Sequence, residues 1–468
     1  MYVEQLYTGC LSEAAYFISS EGEAAVIDPL RDVDVYIQKA EEQGVKIKYI
    51  FETHFHADFV SGHIDLSKKT GAPIIYGPLT QAGFDVHVAK DGEEFTIGKA
   101  KIKVLHTPGH TLESSCYLLY DENNKPYSVF TGDTLFVGDV GRPDLFSGNL
   151  SKEELAGMMY NSLQTKIKTL DNDIIVYPAH GPGSSCGKNL GPQTYSTIGE
   201  QKETNYALQE MTKEEFIKTV TEGLTTPPAY FPLNAKINKE GYEAMDELMG
   251  KADRALSISE FKQLTKEGAW ILDTRSSAVF TEGFVPDAIS IGLDGRFAEW
   301  AGSLLPLDQA LVLVTEEGKE RESIIRLARV GIDNVQGYLQ GGYEAWKNAG
   351  EEIDMIIDIE PEELAMDIPH DSKLEVLDVR KPAEFEAGHV KGATNVPLNT
   401  MMDPLNIAMI DTDNNLYVHC AGGYRSVIAS SLLKRQGYHN LRNVLGGYGK
   451  MKAVKNMPIV TPEQAQAN

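Results

Sequence analysis

Four apolar runs, each ended by a turn that carries histidine or aspartate, constrain this chain more than any other feature. Ile47–Phe51 leads into Thr53-His54-Phe55-His56-Ala57-Asp58-Phe59. Lys101–Leu105 leads into His106-Thr107-Pro108-Gly109-His110-Thr111. Ser128–Phe130 leads into Thr131-Gly132-Asp133-Thr134, and Asp173–Val176 into Tyr177-Pro178-Ala179-His180-Gly181. Short apolar runs stopped by Gly or Pro read as buried strands. Strand ends that meet on one sheet edge hold their side chains on a rigid frame. Imidazoles beside carboxylates are metal-ligand chemistry. One such turn would be weak; four in order predict an α/β domain with a metal centre along one edge.

These turns resemble the metallo-β-lactamase superfamily, whose pattern is His-x-His-x-Asp-His, then Gly-His, Gly-Asp and a late His. The resemblance covers about residues 1–240 and implies an αββα sandwich. Asp28, after Ala24–Ile27, matches the family's early strand-end Asp and is expected beside the metal ligands. One position departs from the pattern. Two-metal members such as the glyoxalase II thioesterases end the motif in Asp-His, whereas this chain has Asp58-Phe59. Phenylalanine cannot ligate a metal, so a single metal is expected.

The persulfide dioxygenase branch, similar in sequence, implies one iron(II) per chain held by His54, His110 and Asp133. Two histidines and a carboxylate form a facial triad with open positions. His56, Asp58 and His180 then orient ligands and water. A zinc site of His54, His56 and His110 is the alternative. The same resemblance makes Arg142, in Gly141-Arg142-Pro143-Asp144, a candidate for binding a thiol carrier's carboxylate. The plainer reading pairs it with Asp144. Cys186, in the Gly/Ser loop after His180, is either a sulfur relay or inert. Cys10 and Cys116 read as packing residues.

A second constellation lies near the C-terminus. Leu416–His419 runs into Cys420-Ala421-Gly422-Gly423-Tyr424-Arg425-Ser426, then a helical pattern with Val427, Ile428, Leu432 and Leu433 that stops at Gly437. Backbone N–H groups and the helix dipole favour a thiolate at such a loop. Arg425 adds a charged fork for an oxyanion. Leu377-Asp378-Val379-Arg380, Glu384, Gly388-His389-Val390 and Gly446-Gly447-Tyr448 resemble the rhodanese sulfurtransferases over about 355–460. The resemblance implies that Cys420 accepts sulfane sulfur, with Gly422, Gly423 and Tyr424 in the substrate loop and Arg425 beside the reacting sulfur. The loop from Cys420 to Arg425 has the six-residue length of sulfur carriers. Asp378 and Arg380 are expected to hold the fold.

Leu272-Asp273-Thr274-Arg275 and Gly341-Gly342-Tyr343 repeat these motifs 105 positions upstream, so the middle segment is a second copy of the same domain. Its counterpart loop, Val314-Thr315-Glu316-Glu317-Gly318-Lys319, has no cysteine and two acids. It is expected to be inert as a transferase and to serve spacing, docking or oligomer contact.

The 468 residues suit three α/β domains: 1–250, the metallo-β-lactamase-fold dioxygenase domain; 251–354, rhodanese-like without the cysteine; and 355–468, the sulfurtransferase. A formal net charge of −25 argues against nucleic acid or an anionic membrane surface as partner. Met1–Gln5 lacks a basic, apolar leader, no run is long enough to span a membrane, and four cysteines are too few for a disulfide scaffold. A cytoplasmic protein, dimeric or tetrameric by family analogy, is the expectation.

Together these resemblances imply a fused enzyme that oxidises a low-molecular-weight thiol persulfide with O2 to sulfite and gives or uses thiosulfate at Cys420. The carrier thiol (glutathione, coenzyme A, bacillithiol or another) is open. The alternatives are a zinc thioester hydrolase with an appended sulfurtransferase, and a non-enzymatic persulfide carrier or sensor.

Overall fold

The computed structural model describes residues 1–145 and 149–462. It divides into two compact units, Met1–Leu248 with Leu327–Gly331, and Met249–Arg326 with Ile332–Asn468.

The first unit holds two six-stranded sheets. One is formed in order by β1 (Tyr2–Thr8), β2 (Glu13–Ser20), β3 (Glu23–Ile27), β4 (Lys46–Phe51), β5 (Ile74–Tyr76) and β6 (His87–Val88). The other joins β7 (Glu94–Ile97), β8 (Ala100–His106), β9 (Ser115–Tyr120), β10 (Pro126–Gly132), β11 (Ile175–Pro178) and β12 (Ser196–Thr197) in sequence order. Alternation along the strands builds three packed layers. In β2, Ala14, Tyr16 and Ile18 join Phe51, Val104, Tyr117 and Phe130 in the core between the sheets. Ala15 and Phe17 face the opposite way and pack with Tyr36, Ile50 and Leu66 under the helices Asp34–Gln43 and His63–Thr70. Across the other sheet, Val129 and Val176 pack against Met159 and Phe216 of the helices Lys152–Ser162 and Lys213–Thr221. This is the expected αββα sandwich.

The strands that carry the four turns lie where the apolar runs placed them, with one shift. The last strand begins at Ile175 rather than Asp173 and continues through Pro178, parallel to β10. Polar Asp173 stays outside, paired with Lys125.

The second unit contains two five-stranded parallel sheets of one design. In the first, β13 (Ala255–Leu256), β14 (Trp270–Asp273), β15 (Ile289–Ser290), β16 (Leu311–Val314) and β17 (Val335–Leu339) lie in the order β13-β17-β16-β14-β15. In the second, β18 (Ile357–Ile359), β19 (Leu374–Asp378), β21 (Thr394–Asn395), β22 (Asn415–His419) and β23 (Leu441–Val444) lie in the order β18-β23-β22-β19-β21. A small ribbon pairs β20 (His389–Val390) with β24 (Ile459–Val460). Asp273 and Asp378 mark the same buried post in each copy. Each accepts a bidentate pair from the Arg two residues on, Arg275 or Arg380. That Arg also donates to a carbonyl, Gly283 or Gly388, and lies over a ring, Tyr343 or Tyr448.

Strand register refines the reading of the middle loop. Asp273 pairs with Val314 as Asp378 pairs with His419. Thr315, not Val314, therefore stands where Cys420 does, and Glu320 takes the place of Arg425. No helix among the described residues is long and apolar enough to cross a membrane.

Candidate functional site

The four turns converge at one end of the sandwich. Three backbone bonds stitch them together: Ser115 N–H to Thr53 O at 2.9 Å, Ala179 N–H to Gly132 O at 3.1 Å, and Gly141 N–H to Asp133 O at 3.0 Å. Gly132 is required here. Its φ is +52°, and a Cβ would stand 2.6 Å from the Thr53 side chain. Asp28, itself at a φ of +50°, closes the strand-end network. It accepts from Thr53 N–H at 2.7 Å and Thr53 Oγ1–H at 2.9 Å.

Hydrogen bonds behind the imidazoles fix which nitrogens are free. Thr53 Oγ1 gives its proton to Asp28, so at 2.9 Å it accepts from His54 Nδ1–H. His110 Nδ1–H donates to Arg142 O at 2.8 Å. Each ring thereby puts its Nδ1–H into a hydrogen bond and turns its Nε2 inward. Both Nε2 atoms face Asp133 Oδ2, at 3.8 Å from His54 and 3.4 Å from His110. That oxygen is buried and has no hydrogen-bond partner among the described residues. Burial and then His56 push the His54 imidazole well below its ordinary pKa, so it stays neutral. Two imidazole nitrogens and a carboxylate oxygen that converge in this way fit a cation, and these ligand atoms lie within 4.8 Å of one another.

His180 sits between two carboxylates, 2.8 Å from Asp133 Oδ1 and 2.7 Å from Asp58 Oδ2. Burial disfavours its charge, but Asp133 and Asp58 overcome that and raise its pKa well above the usual value. An imidazolium there donates from both nitrogens. Burial pushes the Asp133 carboxyl up, but the charged His180 beside it outweighs that and holds it ionised. One Asp133 oxygen is thus engaged by His180 and the other faces the two Nε2 atoms. Phe59 is fully buried against the His56 ring, with centroids 4.4 Å apart. It fills the position of the motif's last histidine.

His56 Nε2 lies 3.1 Å from Asp28 Oδ1 and 3.6 Å from Glu52 Oε2, and neither buried ring nitrogen makes a hydrogen bond among the described residues. Sequence reasoning missed Glu52, and His63 at 3.2 Å from it. Both belong to no motif, and only the fold brings them behind His56. Cys186 lies beside Asp58 and His180. Burial, then Asp58 and Asp133, drive its thiol well above the ordinary pKa. Arg142 is buried and grips Asp144 through Nε and Nη2, at 2.7 and 2.8 Å, and also donates to Thr225 O. Its fork is engaged by Asp144, as the plainer reading had it.

The Cys420 loop is separate from this cluster in the chain and built differently. Gly423 N–H points at Cys420 Sγ at 3.1 Å, and Ser426 Oγ stands 3.7 Å from the sulfur. The turn after β23 braces the loop from below: Tyr448 N–H donates to Cys420 O at 2.7 Å and Gly449 N–H to Ala421 O at 3.0 Å. Arg425 differs from the expectation of a free fork. Its two terminal nitrogens hold Glu384 at 2.7 and 2.9 Å. The pairing fixes the guanidinium at the loop while leaving its charge partly compensated.

Comparison with known proteins agrees with this architecture. Residues 8–180 match the metallo-beta-lactamase superfamily, and residues 257–349 and 360–453 each match the rhodanese-like domain. Human mitochondrial persulfide dioxygenase ETHE1 is 32% identical over 198 residues, 42% of this chain and 70% of that protein. A probable hydroxyacylglutathione hydrolase of Schizosaccharomyces pombe is 34% identical over 181 residues, 37% of this chain and 66% of the hydrolase. A metallo-beta-lactamase from Staphylococcus aureus subsp. aureus COL superposes with a TM-score of 0.64 at 34% identity, covering 72% of this chain and 98% of that one. The chain belongs to the metallo-β-lactamase superfamily, with one such domain followed by two rhodanese-like domains.

Proposed function

We propose that the first domain is an iron(II)-dependent persulfide dioxygenase and that Cys420 is the nucleophile of a coupled sulfurtransferase. The observation that carries the first half is the donor set: two oriented Nε2 atoms and one unpartnered Asp133 oxygen, with Phe59 where a second site would need an imidazole. Bound iron(II) supplies a redox-active centre with open positions for activating dioxygen toward a persulfide sulfur. The chain's own residues do the rest. His180 holds Asp133 in register, Asp58 holds His180, and Thr53 and the Arg142 carbonyl keep the two histidines oriented. The reaction consumes a thiol persulfide, dioxygen and water, and returns the thiol, sulfite and protons.

At the second site the Cys420 thiolate attacks the sulfane sulfur of thiosulfate. The new S–S bond forms as the old one breaks, and sulfite leaves with the electron pair. Run in reverse, the same step joins sulfite to a Cys420 persulfide and releases thiosulfate. Gly423 N–H steadies the sulfur's charge. Thr315 in the middle copy offers no comparable nucleophile. Metal content and oxygen uptake measured on one sample test the dioxygenase half, and thiosulfate-dependent loading of Cys420 tests the other.

A zinc thioester hydrolase is the second reading. It would use His54, His56 and His110, and it is favoured by the hydrolase relatives. Thioester cleavage by zinc-loaded protein without iron would select it.

A further inference from the structure

Within the second unit, a cavity of about 250 Å³ opens at the C-terminal end of the helix Tyr424–Arg435, away from the Cys420 loop. Lys434 lies ten positions after Tyr424, about 15 Å along the helix axis. The inner lining is buried: Phe284 and Ala288 from the middle domain and Ser431 from the last. A charged pair stands on this floor. Lys434 Nζ is 2.6 Å from Asp354 Oδ1, and the two side chains are 10% and 29% exposed. Backbone bonds fix Asp354: Phe284 N–H donates to its carbonyl at 2.8 Å, and its own N–H donates to Phe284 O at 3.0 Å. The pair has bonding capacity to spare. An ammonium has three N–H donors, and Lys434 spends one on Asp354. Asp354 takes both Lys434 and the Met355 N–H on Oδ1, which leaves Oδ2 to accept. Around the mouth stand exposed Asp287, Glu352 and His439, and half-buried Arg435, its guanidinium 4.4 Å above the Trp270 ring.

This lining matches no simple ion. Two cations, Lys434 and Arg435, face three carboxylates, Asp287, Glu352 and Asp354. A lone anion meets the carboxylates and a lone metal ion meets the cations. A ligand with both charges on neighbouring atoms satisfies the spare donor and the spare acceptor together. We propose that the cavity binds an α-amino-acid head group, its carboxylate on Lys434 Nζ and its ammonium on Asp354 Oδ2, with the rest of the ligand over Phe284 and Ala288 toward Arg435. A free amino acid and the γ-glutamyl end of a thiol peptide present this same head. The site goes beyond the sulfur chemistry assigned above and needs neither iron nor Cys420.

Calorimetric titration of the full, metal-loaded chain tests it. The probes are L-serine, a free amino acid, and S-methylglutathione, a γ-glutamyl peptide whose blocked sulfur takes no part in redox chemistry. At least one binds once per chain with a Kd of about 1 mM or tighter. Binding of L-serine shows that the head group suffices, and binding of S-methylglutathione alone assigns the peptide. Ethanolamine and acetate, each carrying half of the head, bind at least about tenfold more weakly. The variant Lys434→Gln/Asp354→Asn keeps the pair hydrogen-bonded but uncharged. It weakens binding about ten- to a hundredfold, while metal content and thiosulfate loading of Cys420 stay at the wild-type level. If the double variant does not fold, Lys434→Gln alone decides, with the same sign. No binding of either probe up to about 10 mM, ethanolamine or acetate as tight as L-serine, or wild-type affinity in the folded variant would overturn the proposal. A chain whose Cys420 never loads would overturn the transferase reading and leave this one standing.

Discussion

At the residue scale, the metal cluster is defined by what stands behind each donor. His54 and His110 commit their Nδ1 protons to Thr53 Oγ1 and Arg142 O, which turns Nε2 of each ring toward Asp133. His180 is charged because two carboxylates flank it. Two outcomes follow. Removing a donor in His110→Ala lowers metal affinity by more than about 100-fold, whereas Asp58→Asn, which only loosens His180, lowers it about 10–100-fold; competition with a chelator of known affinity measures both. Cys186 gives a pH prediction. Its folded pKa is raised, so the unreactive thiol form persists to higher pH than in a free peptide. In folded, metal-free protein, iodoacetamide labelling of Cys186 stays low past the ordinary thiol pKa of about 8.5, and the unfolded chain labels there readily. Peptide mass spectrometry across a pH series checks it. Rapid labelling of folded protein at neutral pH would show an accessible thiolate instead.

At the element scale, strand ends position the chemistry, and the tightest of these is the end of β10. Gly132→Ala places a Cβ 2.6 Å from Thr53. It should cost about 1–3 kcal/mol and weaken metal binding through the Thr53–His54 contact; denaturant melts with metal analysis measure the two effects. The repeated posts give a paired prediction. Asp273→Ala and Asp378→Ala each strand a buried guanidinium, at about 3–5 kcal/mol, and the two losses should be similar although only one copy carries a cysteine. Differential scanning calorimetry of the two variants compares them. The strands, the four turns and the repeat were legible in the sequence because period, turn residues and motif spacing are local. The partners were not. Glu384 holding Arg425 across 41 positions, His180 bridging Asp58 and Asp133, and Glu52 meeting His63 behind His56 are products of folding.

At the scale of the whole molecule, the proposed function puts on one chain a metal site that oxidises sulfur and a loop that carries it. The coupling makes a separable prediction: Cys420→Ala leaves oxygen uptake near wild type but shifts the product from thiosulfate toward sulfite, as product chromatography would show. Unchanged thiosulfate in that variant would mean that the second site does not take part. The central claim is tested most directly by oxygen uptake on anaerobically purified, iron-loaded protein given a thiol persulfide, with metal content read on the same sample. Uptake that requires iron, yields sulfite or thiosulfate, and disappears in His110→Ala is the predicted result. No uptake, with bound zinc and cleavage of a glutathione thioester, would contradict it and make the first domain a hydrolase.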